Sequence, residues 1–366
     1  MSLLWMDGFD SYGPTRTPAG VYNSDPINTL LLSSGYVFCK GVGFDTDTRT
    51  GYGRSLWFTY DSLGTPADLK IAFLPKSEIV VGFAFKYTST NLARIIEFDF
   101  DNRLGTVTSQ MRVYVNAEGG ISLSIDDGAT LLAASGPNIL YPNVWQFVEL
   151  KYRPDKTAGS IVVKVEGQTC IQFDGPTSPM TTPNQVNMLR WATPAGEFNV
   201  GSQSNPIKKI DDLYILDTIG SGFTDFLGDV IVTSLPVTSD QGPNQLSQFG
   251  GAIGHFTALN SIPTDEDTSY VYGNEADTKE MFGLAALPDN IIDVLAMSVH
   301  IRGRKDAPGT ALISAHARYG VNDVHGVAQP LSVQYTTKNL FLEQCPDGTG
   351  WTKAKAEATN IGFEVL

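Results

Sequence analysis

Val148-Glu149-Leu150-Lys151-Tyr152-Arg153 and Ile161-Val162-Val163-Lys164-Val165-Glu166 decide the fold. In the first run Val148, Leu150 and Tyr152 alternate with charged residues, and in the second Ile161, Val163 and Val165 do the same against Val162, Lys164 and Glu166. Period two places each apolar set on one face, so both runs read as strands with one buried side. Between them, Pro154-Asp155-Lys156-Thr157-Ala158-Gly159 supplies the turn chemistry of an antiparallel hairpin. The design repeats at Met111, Val113 and Val115, then Glu118-Gly119-Gly120, then Ile121, Leu123 and Ile125. Strand-like runs at residues 79–87, 93–101, 186–192 and 210–217 complete a set large enough for two packed sheets. Convincing helical periodicity is almost absent.

At 366 residues the chain exceeds what one core usually fills, which predicts two domains. The small residues Thr218-Ile219-Gly220-Ser221-Gly222 mark the expected boundary, giving domains 1–222 and 223–366. The second also reads as strands: Leu295, Met297, Val299 and Ile301 alternate with Ala296, Ser298, His300 and Arg302. The expected fold class is all-β, two antiparallel β-sandwich (jelly-roll) domains in tandem. Apolar strands at residues 3–9 and 210–217 flank the first domain and are expected to pair.

Hydrophobic residues make up 42% and charged residues 17%, with 36 Gly and 20 Pro, which excludes disorder and an ordinary coiled coil. The 39 acids against 25 bases leave a formal charge of −14, a poor match to nucleic acid or an anionic bilayer. The opening MSLLWMDGFD lacks a basic n-region, so neither a signal peptide nor a spanning helix is expected there. Cys39, Cys170 and Cys345 fit no disulfide framework or zinc site and read as buried thiols.

The sharpest catalytic candidate is Glu97-Phe98-Asp99-Phe100-Asp101, whose period places Glu97, Asp99 and Asp101 on one strand face. The competing expectation is a solvated face on which Arg94, Arg103 or Arg112 pairs with these acids across strands. Asp45 and Asp47, and Asp126 and Asp127, are weak calcium candidates, which turn chemistry explains equally well. Asp265-Glu266-Asp267 is a further acidic cluster, expected to be a solvated loop. His255, His300, His316 and His325 all fall in the second domain, and His300 and His316 lie on polar strand faces where surface positions are expected. Trp191, Trp351, Tyr272 and Tyr335 could stack on sugar rings, but core positions are expected of such aromatics. No nucleophile elbow, zincin motif or phosphate loop occurs, so no cofactor and no metal are expected.

Trp5-Met6-Asp7-Gly8-Phe9-Asp10, Asn143-Val144-Trp145-Gln146-Phe147-Val148-Glu149-Leu150, Val165-Glu166-Gly167 and Ile210-Asp211-Asp212-Leu213-Tyr214 together resemble the concanavalin-A-like, or laminin-G-like, jelly roll across residues 1–217. Asp225-Phe226-Leu227-Gly228-Asp229-Val230, the stretch from Asp265 to Val271 and Arg302-Gly303-Arg304-Lys305-Asp306 resemble a module of tailed-bacteriophage virion proteins. These resemblances imply a non-enzymatic structural part of a phage particle, assembled in the host bacterial cytoplasm. Its expected partners are other virion proteins and further copies of itself. Two alternatives follow from them: an adhesin for host-surface glycans, and a laminarinase-like glycoside hydrolase using Glu97, Asp99 and Asp101, whose chemistry needs two carboxyls flanking the glycosidic bond.

Overall fold

Sheet pairing follows the period-two runs in a computed structural model that describes residues 2–12, 25–58, 67–88, 93–193, 208–220 and 222–366, without the side chains of residues 25, 26 and 127. The chain divides into two units, Met1–Phe9 with Pro14–Thr233, and Asp10–Gly13 with Ser234–Leu366. The division falls later than residue 222 because the following segment is hydrogen-bonded to the first unit. There Gly228 N donates to Glu149 Oε1 at 2.8 Å and Val232 N to Asp212 Oδ1 at 2.8 Å.

The first unit holds two antiparallel sheets. One runs in the order Gln168–Gly175, Gly159–Val165, Gln146–Arg153, Ile79–Tyr87, Lys208–Asp217, Ser55–Phe58 and Val42–Asp45. Leu3–Asp7 adds to it by pairing with Lys208–Asp217, the closure expected of the flanking strands. The other sheet has seven strands in the order Thr130–Ala134, Ile121–Ile125, Val107–Val115, Ala93–Asp101, Val186–Ala192, Asp68–Lys76 and Phe38–Lys40. Helix Asp25–Ser33 is one of the elements that periodicity did not announce, as are strands Asp68–Lys76 and Gln168–Gly175 and helix Lys353–Glu357.

Aromatic rings join the two sheets. Phe83 of the first meets Trp191 of the second edge-on at 5.8 Å, and Tyr152 meets Phe98 at 4.5 Å. Trp191 and Trp351 are buried, so neither is a sugar platform, whereas Tyr272 is exposed. Lys208 is buried too. Its ammonium crosses from one sheet to the other, donating to Arg94 O and Ala192 O at 2.7 Å each, with the Phe58 ring 5.1 Å away. Such a charge is tolerable in an interior only because its protons find acceptors.

In the second unit a six-stranded antiparallel sheet is built from Val237–Asn244, Thr278–Leu284, Asn360–Val365, Leu312–Tyr319 and Asn322–His325, with Gln329–Pro330 on its edge. A ribbon of Met297–Gly303 and Thr336–Leu342 forms a second layer. Val299 and Ile301 of the ribbon cluster with Ile313, Ala315 and Ala317 of the sheet and with Trp351. The all-β expectation therefore holds in both units. Among the described residues, no helix is long and apolar enough to cross a membrane.

Glycine is required at position 82, where a Cβ would fall 2.3 Å from the Tyr214 ring. That close approach lets the Tyr214 hydroxyl donate to Glu149 Oε1 at 2.5 Å in the interior. Gly82→Ala should displace the ring and destabilise the first unit by about 1–3 kcal/mol, the usual cost of overpacking. Urea denaturation followed by tryptophan fluorescence measures it.

Candidate functional site

Cross-strand register aligns one row of side chains over six strands of the seven-stranded sheet. Phe38 lies opposite Lys70, Lys70 opposite Arg190, Arg190 opposite Glu97, Glu97 opposite Arg112, and Arg112 opposite Ser124. Their neighbours Leu69, Ile71, Leu189, Trp191, Phe98, Met111 and Val113 are buried in the core, so period two turns the row to the outer face. Five interstrand spacings of ~4.8 Å give the row a length of ~24 Å.

Glu97 stands at its centre with 0% exposure. Arg94 Nη1 reaches Glu97 Oε2 at 2.7 Å, Arg112 Nε reaches Oε1 at 2.9 Å, and Arg190 Nη1 lies 3.7 Å from Oε2. Burial alone would raise the Glu97 carboxyl, but Arg94, the Ser109 hydroxyl and Arg112 outweigh it and hold it below the usual range. Arg190 also forks onto Asp68, with Nε and Nη2 each 2.9 Å from a carboxylate oxygen.

Asp99 has the opposite fate. It is 1% exposed and neither of its carboxyl oxygens has a hydrogen-bond partner. Burial, and then the charge of Glu97, push it up to about 8, with Arg190 and Lys70 offsetting only part. Two carboxyls on one strand face are thus driven apart, one ionised and one protonated at neutral pH. Among the described residues, Lys70, Arg94, Arg112 and Arg190 stand with the carboxyl groups of Glu97 and Asp68 on this face, a concentration of cations on a protein of net charge −14.

The expected solvated acidic face is corrected in this respect. Arg94 and Arg112 do pair with Glu97 as anticipated, but Glu97 and Asp99 are buried rather than wet. Asp101 does not join them: its Oδ1 accepts from Arg103 N at 2.7 Å in a local turn. It lines a separate shallow recess with Leu74, Pro75, Phe100, Asn102, Arg103 and Asn187. Sequence reading missed Lys70, Asp68, Arg190 and Phe38. The signal was Arg190 standing between Leu189 and Trp191, a cation in an otherwise apolar run.

The calcium candidate at Asp45 and Asp47 is built around lysines instead of a metal. Lys209 Nζ lies 3.1 Å from Asp45 Oδ2 and 2.5 Å from Asp47 Oδ2, and Lys86 adds a contact to Asp47 at 2.9 Å, so ammonium groups occupy the positions a metal would take. Despite partial burial, these lysines lower Asp47 to about 2. Asp126 Oδ2 accepts from Thr130 Oγ1 at 3.1 Å in a turn, and the Asp127 side chain lies outside the described residues. In the acidic loop of the second unit, Arg302 pairs with Glu266, and Arg304 lies 2.9 Å from Asp267.

No known family matches the sequence, and no curated protein does. Among solved structures the chain is similar to an endo-β-1,4-glucuronan lyase from Trichoderma reesei, at 12% identity over 50% of this chain and 91% of that one, with a TM-score of 0.38. The alginate lyase Aly36B is similar at 13% identity over 58% and 97% of the two chains, with a TM-score of 0.39. A sialidase matches at 13% identity over 45% of this chain but only 15% of its own, with a TM-score of 0.33. These findings correct the expectation of a non-enzymatic phage virion part. The structures resembled are glycan-active enzymes, and nothing in them shows a phage origin or a laminin-G-like domain. At such identities the likeness is one of β-sandwich fold.

Two outcomes test the site. Glu97→Gln leaves half-buried guanidinium groups without their counter-charge and should cost about 1–3 kcal/mol in a denaturant titration. An unfolded Asp titrates near ~3.9, so the folded chain retains the Asp99 proton that the unfolded chain releases between ~4 and ~8. Wild-type stability should fall as pH rises through that window. Asp99→Asn should remove this slope and be the more stable protein at the alkaline end, as urea midpoints at both ends would show.

Proposed function

We propose that the outer face of the seven-stranded sheet binds and acts on an acidic, carboxylate-bearing polysaccharide. The observation that carries this reading is the in-register row of cations Lys70, Arg190 and Arg112, joined by Arg94, along one sheet face. Guanidinium groups match carboxylates in geometry as well as charge. Phe38, 41% exposed at one end of the row with the Lys70 ammonium 4.8 Å from its ring, offers an apolar surface for a sugar face.

The reaction class that suits this arrangement is β-elimination next to a uronate carboxylate. Cations around that carboxylate stabilise the negative charge that develops when the adjacent proton leaves. Protonated Asp99 adds a neutral hydrogen-bond donor beside the row.

Polyglucuronate and alginate are the substrates to try, with a neutral glucan as control. Binding should weaken with salt, and a lyase would release oligosaccharides with an ultraviolet-absorbing unsaturated end. Phe38→Ala, at the exposed end of the row, should reduce affinity about 5- to 10-fold, equivalent to ~1–1.4 kcal/mol, without moving the denaturation midpoint, and Lys70→Ala, which also removes a contact to Asp68, should reduce affinity by a similar factor. Equal affinity for the neutral glucan, or none for either acidic polymer, overturns the reading.

A further inference from the structure

We infer that His316, His325 and Asp323, with Glu364 beside them, form a binding site for one divalent first-row transition-metal ion in the second unit. The topology assembles it from three adjacent strands. Tyr319 and Asn322 pair across a two-residue turn in which Gly320 takes a φ of 61°, and this register sets His316 directly opposite His325 and Arg318 opposite Asp323. On the other side of the same strand His316 lies opposite Gly362, which places Glu364 at the diagonal position.

The two imidazole centroids are 3.7 Å apart, and one ligand atom each from His316, Asp323 and His325 lie within 4.8 Å of one another. His316 Nε2 is 3.2 Å from Glu364 Oε2, His325 Nδ1 is 3.6 Å from that same oxygen, and His325 Nε2 is 3.8 Å from Asp323 Oδ2. Around a tetrahedral zinc ion with bonds of ~2.0–2.1 Å, neighbouring ligand atoms are separated by ~3.3–3.5 Å. The His316–Glu364 and His325–Glu364 distances are close to that spacing, while the His316, Asp323 and His325 ligand atoms, up to 4.8 Å apart, would draw inward on binding. His325 can offer only one of its nitrogens to a single ion.

A second observation points to a ligand independently of the cluster. His316 is 1% exposed, and its Nε2 is a buried polar atom without a hydrogen-bond partner, aimed at Glu364. A buried nitrogen left unsatisfied is costly and calls for an occupant. Lys279 Nζ lies 3.2 Å from Glu364 Oε1, so one oxygen of that carboxylate is engaged while Oε2 faces the histidines. Paired imidazoles select zinc, nickel, cobalt or copper over calcium or magnesium. His316 lies on the polar strand face, as its alternation suggested, but the structure buries it there instead of exposing it.

The test uses the full-length chain, free of any histidine tag and stripped with a chelator, titrated with zinc chloride by calorimetry and by thermal melting. Saturation at one zinc per chain with a raised melting temperature is expected. His325→Ala and Asp323→Asn alter exposed side chains and should each weaken binding at least ~10-fold, whereas His300→Ala, an exposed histidine elsewhere in the unit, should leave it unchanged. Cobalt in place of zinc should give the intense visible bands of a tetrahedral site. Failure to saturate, or uptake that survives His325→Ala, overturns the assignment.

Discussion

A carboxylate withdrawn from water must be matched by positive charge, and Glu97 imposes that condition on the first unit. Its two oxygens take hydrogen bonds from Arg94 and Arg112, with Arg190 close behind. These residues come from three neighbouring strands, so the pairing register of the sheet centre and the charge balance of its outer face are one problem. Asp99, two residues on, receives no such partners and keeps its proton. The same strand thus presents an anion and a neutral acid side by side, made different only by what surrounds them.

Much of the architecture could be read from the chain. Strands at Ile79–Tyr87, Ala93–Asp101 and Val186–Ala192 have the bounds that alternation suggested, because the apolar residues there are committed to one core. Pairing between the flanking strands was legible for the same reason. Helix Asp25–Ser33 was not, since a nine-residue segment offers too few turns for its period to stand out. Of the site, the central acid could be found and its arginine partners named. Arg190 left a signal as a cation between Leu189 and Trp191, but its place beside Glu97, like those of Lys70 and Asp68, could not be read, because their strands are distant in sequence and only register brings them together.

The histidines show the opposite limit. Alternation assigned His316 to a polar face correctly, yet a polar face is not the same as an exposed one. Opposite His325 and diagonal to Glu364, that position is roofed by other polar groups. A periodic pattern reports which side of a sheet a residue occupies. It carries nothing about what lies above.

Lys208 ties the interior of the first unit to its surface. Its ammonium, rooted in one sheet, holds the carbonyl of Arg94 and the carbonyl of Ala192 at the margins of two strands in the other. Arg94 is also a partner of Glu97, so a core residue on the far layer helps to set where an outer guanidinium begins. Because both acceptors are main-chain carbonyls, which any residue supplies, the demand for a long cationic arm falls on position 208 and for a ring beside it on position 58, while the side chains at 94 and 192 stay free to change as far as this contact goes.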